Sequence, residues 1–145
     1  MHRRELLIAA GTVAAAGVAT ATAQQTQTPE HHHDASGSPL VDSALRCVKT
    51  GDLCQAHCFE LLAKGDTSIA DCARSVESLR AVCSSLAVLA AQKSPLLPRY
   101  AAVAKEACEN CEAECHKHSD KHAVCKACEE ACASCAKECA KVAAG

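Results

Sequence analysis

The distribution of cysteine is the feature that most restricts how this chain can fold. The 145-residue sequence contains 13 cysteines, and most are separated from the next by steps of three, four or seven residues. Such steps place side chains on one face of an α-helix, at the inward positions that normally hold Leu or Ile in a bundle. The thirteen are Cys47, Cys54, Cys58, Cys72, Cys83, Cys108, Cys111, Cys115, Cys125, Cys128, Cys132, Cys135 and Cys139. A core that holds so many thiols indicates soft-metal chemistry rather than ordinary apolar packing.

The rest of the composition favours an all-α fold. The chain has one Phe, one Tyr and no Trp, so it lacks the aromatic residues of a β-sandwich or of a base-stacking surface. Ala, Leu, Glu and Lys are abundant, and these are strong helix formers. The formal net charge is −2, with acidic and basic residues interspersed. We therefore expect no binding to nucleic acid.

Residues 1–23 have the features of a twin-arginine export signal. Arg3 and Arg4 precede an apolar stretch over residues 6–19, and an Ala-Thr-Ala cleavage pattern occupies residues 21–23. This stretch is short and is interrupted by Gly and Thr, so we expect no membrane anchor and no membrane contact after cleavage. The prediction is export to the periplasm after folding in the cytoplasm, which keeps the thiols reduced.

Residues 24–38 are polar, contain Pro and Gly, and show no apolar period, so they are predicted to form a flexible tail. The tail includes His31, His32 and His33, which we interpret as solvated side chains in preference to metal ligands. Residues 39–145 are then a single metal-binding domain, whose length suits one four-helix bundle.

The pattern of this domain predicts four helices. The first should run from Pro39 to Ala63, with Ser38 as its N-cap, and the second from Asp66 or Thr67 to about Gln92. The third is predicted over about 99–117, and the fourth over about 121–142 after a cap at Ser119–Asp120. Short loops between helices of about 30 Å favour an antiparallel up-down-up-down bundle.

The two ends of this predicted bundle differ in chemistry. His118 and His122 lie in register with the cysteine rows, and we predict that they are metal ligands through which ions enter, with polar side chains that close the bundle end as the alternative. His57 is interpreted as a surface residue and His116 as pointing away from the rows. Apolar side chains should close the other end, namely Leu86, Ala90, Ala101 and Ala104.

An all-sulfur ligand set suits Cu(I), Zn(II) or iron–sulfur clusters, and not Mg, Ca or Mn. Zinc prefers discrete four-ligand sites, and iron–sulfur clusters take about four cysteines from tight loops. Here the pairs lie on continuous helix faces and form a line. Cu(I) accepts two thiolates, and each thiolate can bridge two ions, so thirteen thiolates would hold about thirteen ions in a nearly neutral core. The sequence therefore predicts many Cu(I) ions per chain, with Zn or iron–sulfur binding as alternatives.

Two other uses of cysteine fit less well. A disulfide scaffold conflicts with the odd number of cysteines and with the side-by-side position of thiols on one helix. Disulfides between helices stay open for the copper-free protein. A thiol–disulfide oxidoreductase would place a C-x-x-C pair at a helix N-terminus beside a βαβ pattern, which is missing here. We therefore expect a protein that is not an enzyme.

The last two helices read CENCEAEC over residues 108–115 and CKACEEACASCAKEC over residues 125–139. With the export signal, they resemble the exported type of bacterial copper storage protein. The resemblance implies a homotetramer of four-helix bundles that stores many Cu(I) ions on inward cysteines and supplies copper enzymes. Family members with Met at the tube opening use its thioether there, whereas Met1 is the only Met here. His118 and His122 are expected to take that role.

Overall fold

Four α-helices form the part of the protein that the computed structural model describes, residues 38–144. They are α1 (Pro39–Ala63), α2 (Ala70–Ala91), α3 (Leu97–His116) and α4 (Ala123–Ala143), with a 3₁₀ turn at Thr67–Ile69 before α2. Strands are absent from these residues, which confirms the all-α prediction. The predicted export signal and the tail histidines His31, His32 and His33 lie outside the described residues.

The helices pack around a square in chain order. Helix α1 packs against α2 and α4, and α3 packs against the same two helices, whereas the backbones of the diagonal pairs lie farther apart. Because the connections are short, each helix runs antiparallel to the next. This is the predicted up-down-up-down bundle. Across residues 38–144, no helix has the length and apolar content needed to cross a membrane.

The first helix begins and ends where its residues predict. Pro39 is its first residue, where the fixed φ of proline suits a helix start. After Lys64 the chain turns at Gly65, whose φ of +88° is in the left-handed region that favours glycine. Asp66 then accepts a hydrogen bond from the backbone N–H of Ser68 at 3.1 Å and starts the 3₁₀ turn. These signals are local, which explains why the sequence shows them.

Three helix starts differ from the prediction. Helix α2 begins at Ala70, later than the predicted Asp66 or Thr67, because Thr67–Ile69 form a 3₁₀ turn. Helix α3 begins at Leu97, two residues early, because Pro98 lies in the first turn, where a missing N–H costs nothing. Helix α4 begins at Ala123 with His122 as its N-cap, so the predicted cap at Ser119–Asp120 is wrong. Residues 117–121 form turns, in which the Lys121 and His122 N–H groups donate to the His118 carbonyl.

The bundle interior has a sulfur-rich part and an apolar part. All thirteen cysteines are completely buried. Near the connection between α2 and α3, buried small and apolar side chains close the bundle as predicted. This group, called the apolar plug below, consists of Leu40, Ala44, Leu86, Ala90, Ala101 and Ala104. Fully buried Val76 and Leu79 continue the apolar row of α2 between the cysteines.

Gly51 on α1 lies under the Arg80 side chain of α2. A Cβ at position 51 would approach Arg80 Cγ to 2.8 Å. Arg80 crosses α1 at this point and donates from Nε to Asp52 Oδ1 at 2.5 Å. The small residue therefore marks the close approach of a neighbouring side chain.

We expect Gly51→Ala to change the free energy of unfolding by less than about 1 kcal/mol. The gain in helix propensity, about 1 kcal/mol, is offset by displacement of Arg80 and loss of a half-exposed ion pair worth about 0–1 kcal/mol.

Gly65→Ala meets no neighbouring atom but is strained at its positive φ, and it should destabilise by about 1–2 kcal/mol. Thermal denaturation of both variants tests this, and a loss above 2 kcal/mol for Gly51→Ala would show that Arg80 cannot move aside.

Candidate metal centre

The thiols of neighbouring helices face one another across the bundle axis. Their sulfur atoms approach to about 4 Å without forming disulfides. The Sγ–Sγ distances between helices are 3.8 Å for Cys54–Cys125, 3.8 Å for Cys72–Cys115, 3.9 Å for Cys83–Cys108, 4.0 Å for Cys58–Cys72 and 4.0 Å for Cys111–Cys128. Ions placed between such pairs would bind helices to one another.

The thiols gather into groups whose sulfur atoms all lie within 4.8 Å of one another. One group of four takes a cysteine from each helix: Cys47, Cys83, Cys108 and Cys135. Three groups of three are Cys54, Cys58 and Cys72; Cys54, Cys115 and Cys128; and Cys111, Cys128 and Cys132. The line of thiols inferred from single helix faces is thus a series of clusters, because facing helices bring their rows together.

The clusters join along the bundle. Cys54 and Cys128 each belong to two groups of three. The two cysteines outside all groups lie against members of them, since Cys125 Sγ is 3.8 Å from Cys54 Sγ and Cys139 Sγ is 4.0 Å from Cys135 Sγ. Shared sulfur atoms are what bridging thiolates require, so the arrangement suits several ions with common ligands better than one isolated ion.

Neighbouring thiols shift the pKa values of one another in both directions. The pKa of Cys128 lies well below the ordinary range because the thiols of Cys111 and Cys115 donate toward its sulfur. The pKa of Cys135 is lowered in the same way, chiefly by Cys108 and Cys139. Burial, together with Cys72, raises the pKa of Cys58 to about 12. The pKa of Cys132, which lies between these two on α4, is raised by its hydrogen bonds with Cys111 and Cys128.

Among the described residues, the buried interior contains no charged side chain. The buried polar residues are Ser43 and Gln55. Carboxylates are confined to the exposed and half-exposed surface, so the inward ligands are sulfur. This ligand set selects soft ions such as Cu(I) and disfavours Mg²⁺ or Ca²⁺.

Sequence reasoning missed one histidine at the end of the bundle. His57 Nε2 lies 3.0 Å from His122 Nδ1, and their ring centroids are 4.6 Å apart. Both side chains are half-buried. We had interpreted His57 as a surface residue because it lies beside Cys58 and off the cysteine row. Its position in the last turns of α1, which end beside the start of α4, is the signal that could have identified it.

The remaining residues of this end are His118 and Asp66. His118 is half-buried in the turn before α4. Hydrogen bonds from Ser68 lower the pKa of Asp66, and the nearby His118 and His122 add to this effect. Desolvation lowers the pKa of His122, and His57 and His118 contribute as neighbouring cations. We call His57, Asp66, His118 and His122 the histidine end.

His116 lies apart from this group. Its ring is largely exposed, and Nδ1 pairs with Glu129 Oε1 at 2.7 Å on the outer face of α3 and α4. The carboxylate raises the pKa of His116. As expected from the sequence, this histidine points away from the thiols and offers a control for the others.

The sequence of the bundle matches the model of one protein family. The copper storage protein family matches residues 33–144, which include all thirteen cysteines. The chain belongs to the copper storage protein family. No curated protein sequence matches this storage protein significantly. The family description names copper storage.

Solved structures of copper storage proteins share the bundle. Apo copper storage protein 3 from Bacillus subtilis is 27% identical, with a TM-score of 0.64, and the match covers 72% of this chain and 96% of that one. A Cu(I)-bound copper storage protein, BsCsp3, is also 27% identical, with a TM-score of 0.65 and coverage of 72% and 94%. The copper storage protein Ccsp from Streptomyces lividans, loaded with 10 copper equivalents, is 24% identical, with a TM-score of 0.67 and coverage of 73% and 82%. The last match shows a common fold.

Proposed function

We propose that this copper storage protein holds many Cu(I) ions on its thirteen inward cysteines. The observation that carries the proposal is the burial of all thirteen thiols, eleven of which fall into groups, with the three groups of three linked by shared members. Two-coordinate Cu(I) with bridging thiolates would place about one ion per thiol, so about thirteen ions would leave the core nearly neutral. Anaerobic titration of the reduced protein with Cu(I) tests the function directly.

Copper is proposed to pass through the histidine end. The opposite end is closed by the apolar plug, where Leu86 and Ala101 are completely buried and offer no ligand. At the histidine end, His118 and His122 are half-buried, and each lies three residues from a cysteine, Cys115 and Cys125. Imidazole binds copper and can hand it to a thiolate nearby, as the softer ligand holds Cu(I) more tightly. His118 and His122 are therefore proposed as the ligands for access.

Replacing His118 and His122 together by Ala should slow copper loading and unloading on the order of tenfold or more, the scale on which lost metal partners act. Capacity should stay nearly unchanged because all thirteen thiols remain. Stopped-flow transfer to and from a Cu(I) chelator measures both quantities. His116→Ala is the matched control, since that ring lies on the outer face. Transfer rates equal to wild type in the double variant would show that ions pass elsewhere.

The protein is further proposed to act as a homotetramer. Its outer surface supports this, because α1 exposes more than half of Leu45, Leu53 and Phe59. Large apolar side chains grouped on one outer helix face are typical of surfaces that pack against another subunit. Native mass spectrometry of the purified protein tests the subunit number, and a monomer at micromolar concentration would contradict it.

Export is proposed from residues 1–23, with the tail 24–38 and the bundle domain 39–145 forming the mature protein. The support is the Arg3–Arg4 pair with the apolar stretch and cleavage pattern that follow it. A related protein from Streptomyces lividans is described as cytosolic. Fractionation of cells that express the full chain decides the location. A periplasmic store would supply copper enzymes there or hold excess copper away from them, with no enzymatic step of its own.

A further inference from the structure

His57 and His122 bring two imidazole nitrogens within hydrogen-bond distance of each other. Nε2 of His57, near the end of α1, lies 3.0 Å from Nδ1 of His122, the N-cap of α4. The rings are tilted by 58° and half-buried, so they are held by the helices but remain reachable from solvent. Nitrogens at this distance can share one proton, or both can bind one metal ion.

The separation of the nitrogens indicates which oxidation state of copper they fit. With metal–nitrogen bonds of about 2.0 Å, a nitrogen separation of 3.0 Å corresponds to an angle of about 97° at the metal. Neighbouring positions of square-planar Cu(II) require about 90°. A linear bis-imidazole Cu(I) would instead need nitrogens about 4.0 Å apart, which the present packing of α1 against α4 does not provide.

Other donors near the pair also suit a divalent ion. Asp66 and His118 also lie at this end of the bundle, where their charges act on His122. Nitrogen and oxygen donors favour Cu(II), whereas the core offers only sulfur and favours Cu(I). The histidine end therefore selects Cu(II), and the thiol core selects Cu(I).

We propose that His57 and His122 form a Cu(II)-binding site at the histidine end, separate from the thiol core. The site shares its location with the proposed route for copper but does not require it. The number of Cu(I) ions held by the thiols is measured independently, so the failure of one proposal is distinguishable from the failure of the other.

The test uses the full chain with His31, His32 and His33 replaced by Ala, so that the tail cannot bind the probe. The thiols are first saturated with Cu(I) under anaerobic conditions, and Cu(II) is then added and followed by electron paramagnetic resonance. We expect one Cu(II) per chain, with hyperfine coupling to at least two imidazole nitrogens. His57→Ala and His57→Gln should each weaken this binding on the order of tenfold or more. His116→Ala, the matched control, should leave it unchanged.

Three results would overturn the proposal. They are no detectable Cu(II) site on the Cu(I)-saturated chain, a Cu(II) site whose affinity is the same after both His57 substitutions, and a spectrum without coupling to nitrogen. Circular dichroism of each variant confirms that the bundle is retained, and the Gln variant keeps a polar side chain at position 57 if Ala disturbs the packing.

Discussion

Loading with Cu(I) is expected to raise the melting temperature of the bundle by tens of degrees without creating the fold. The copper-free protein should already be helical, because its helices have strong helix formers and fully buried Val76, Leu79 and Leu86. An ion that binds only the folded state adds about 2.7 kcal/mol when its free concentration is 100 times Kd. In a chain of this size each kcal/mol shifts Tm by about 2–8 °C, so several ions together give a large increase.

Circular dichroism during heating measures this effect in the reduced protein with and without Cu(I). The folded state of the apo protein is the control, since its far-ultraviolet spectrum should match that of the loaded protein. A random-coil spectrum that becomes helical only with metal would contradict this expectation. It would show that metal binding drives folding, as it does in zinc fingers.

Removing one cluster should lower the copper capacity by the number of thiols removed. Cys111, Cys128 and Cys132 form a group of three, and Cys128 also belongs to a second group. If thiolates bridge ions, replacing all three by Ala should remove about three Cu(I) per chain, since each ion shares its ligands. If the groups were isolated sites, the same change would remove about one or two.

Metal analysis after gel filtration of the saturated variant measures the loss. Ser134→Ala on the same helix is the matched control, because it changes a small side chain of α4 without removing sulfur. The variant must retain the helical spectrum, as truncating three buried residues leaves small cavities. A loss of a single ion would support discrete sites in place of a connected series.

The sequence was sufficient to predict the bundle and its inward faces. Steps of three and four residues determine the face of a helix, so the rows of α3 and α4 could be assigned without tertiary information. Pro39 and Gly65 are local signals, and they gave the bounds of α1 correctly. All thirteen cysteines were expected to lie inside, and all are buried.

The contacts between helices could not be predicted from the row of cysteines on each separate helix. The group of four thiols depends on how far each helix is shifted along the bundle axis, and no local pattern sets this shift. His57 is one residue off the cysteine row, and it meets His122 only because the end of α1 packs beside the start of α4. The late start of α4 has a local cause, since turns over residues 117–121 replace the predicted cap.

The most direct test of the account is the number of Cu(I) ions that the reduced protein binds. In an anaerobic titration against a competing Cu(I) chelator, the thirteen buried thiols are expected to hold about ten or more ions per chain, and Zn(II) should not displace them. Binding of only two to four ions, or a preference for Zn(II) in direct competition, would contradict a connected copper store.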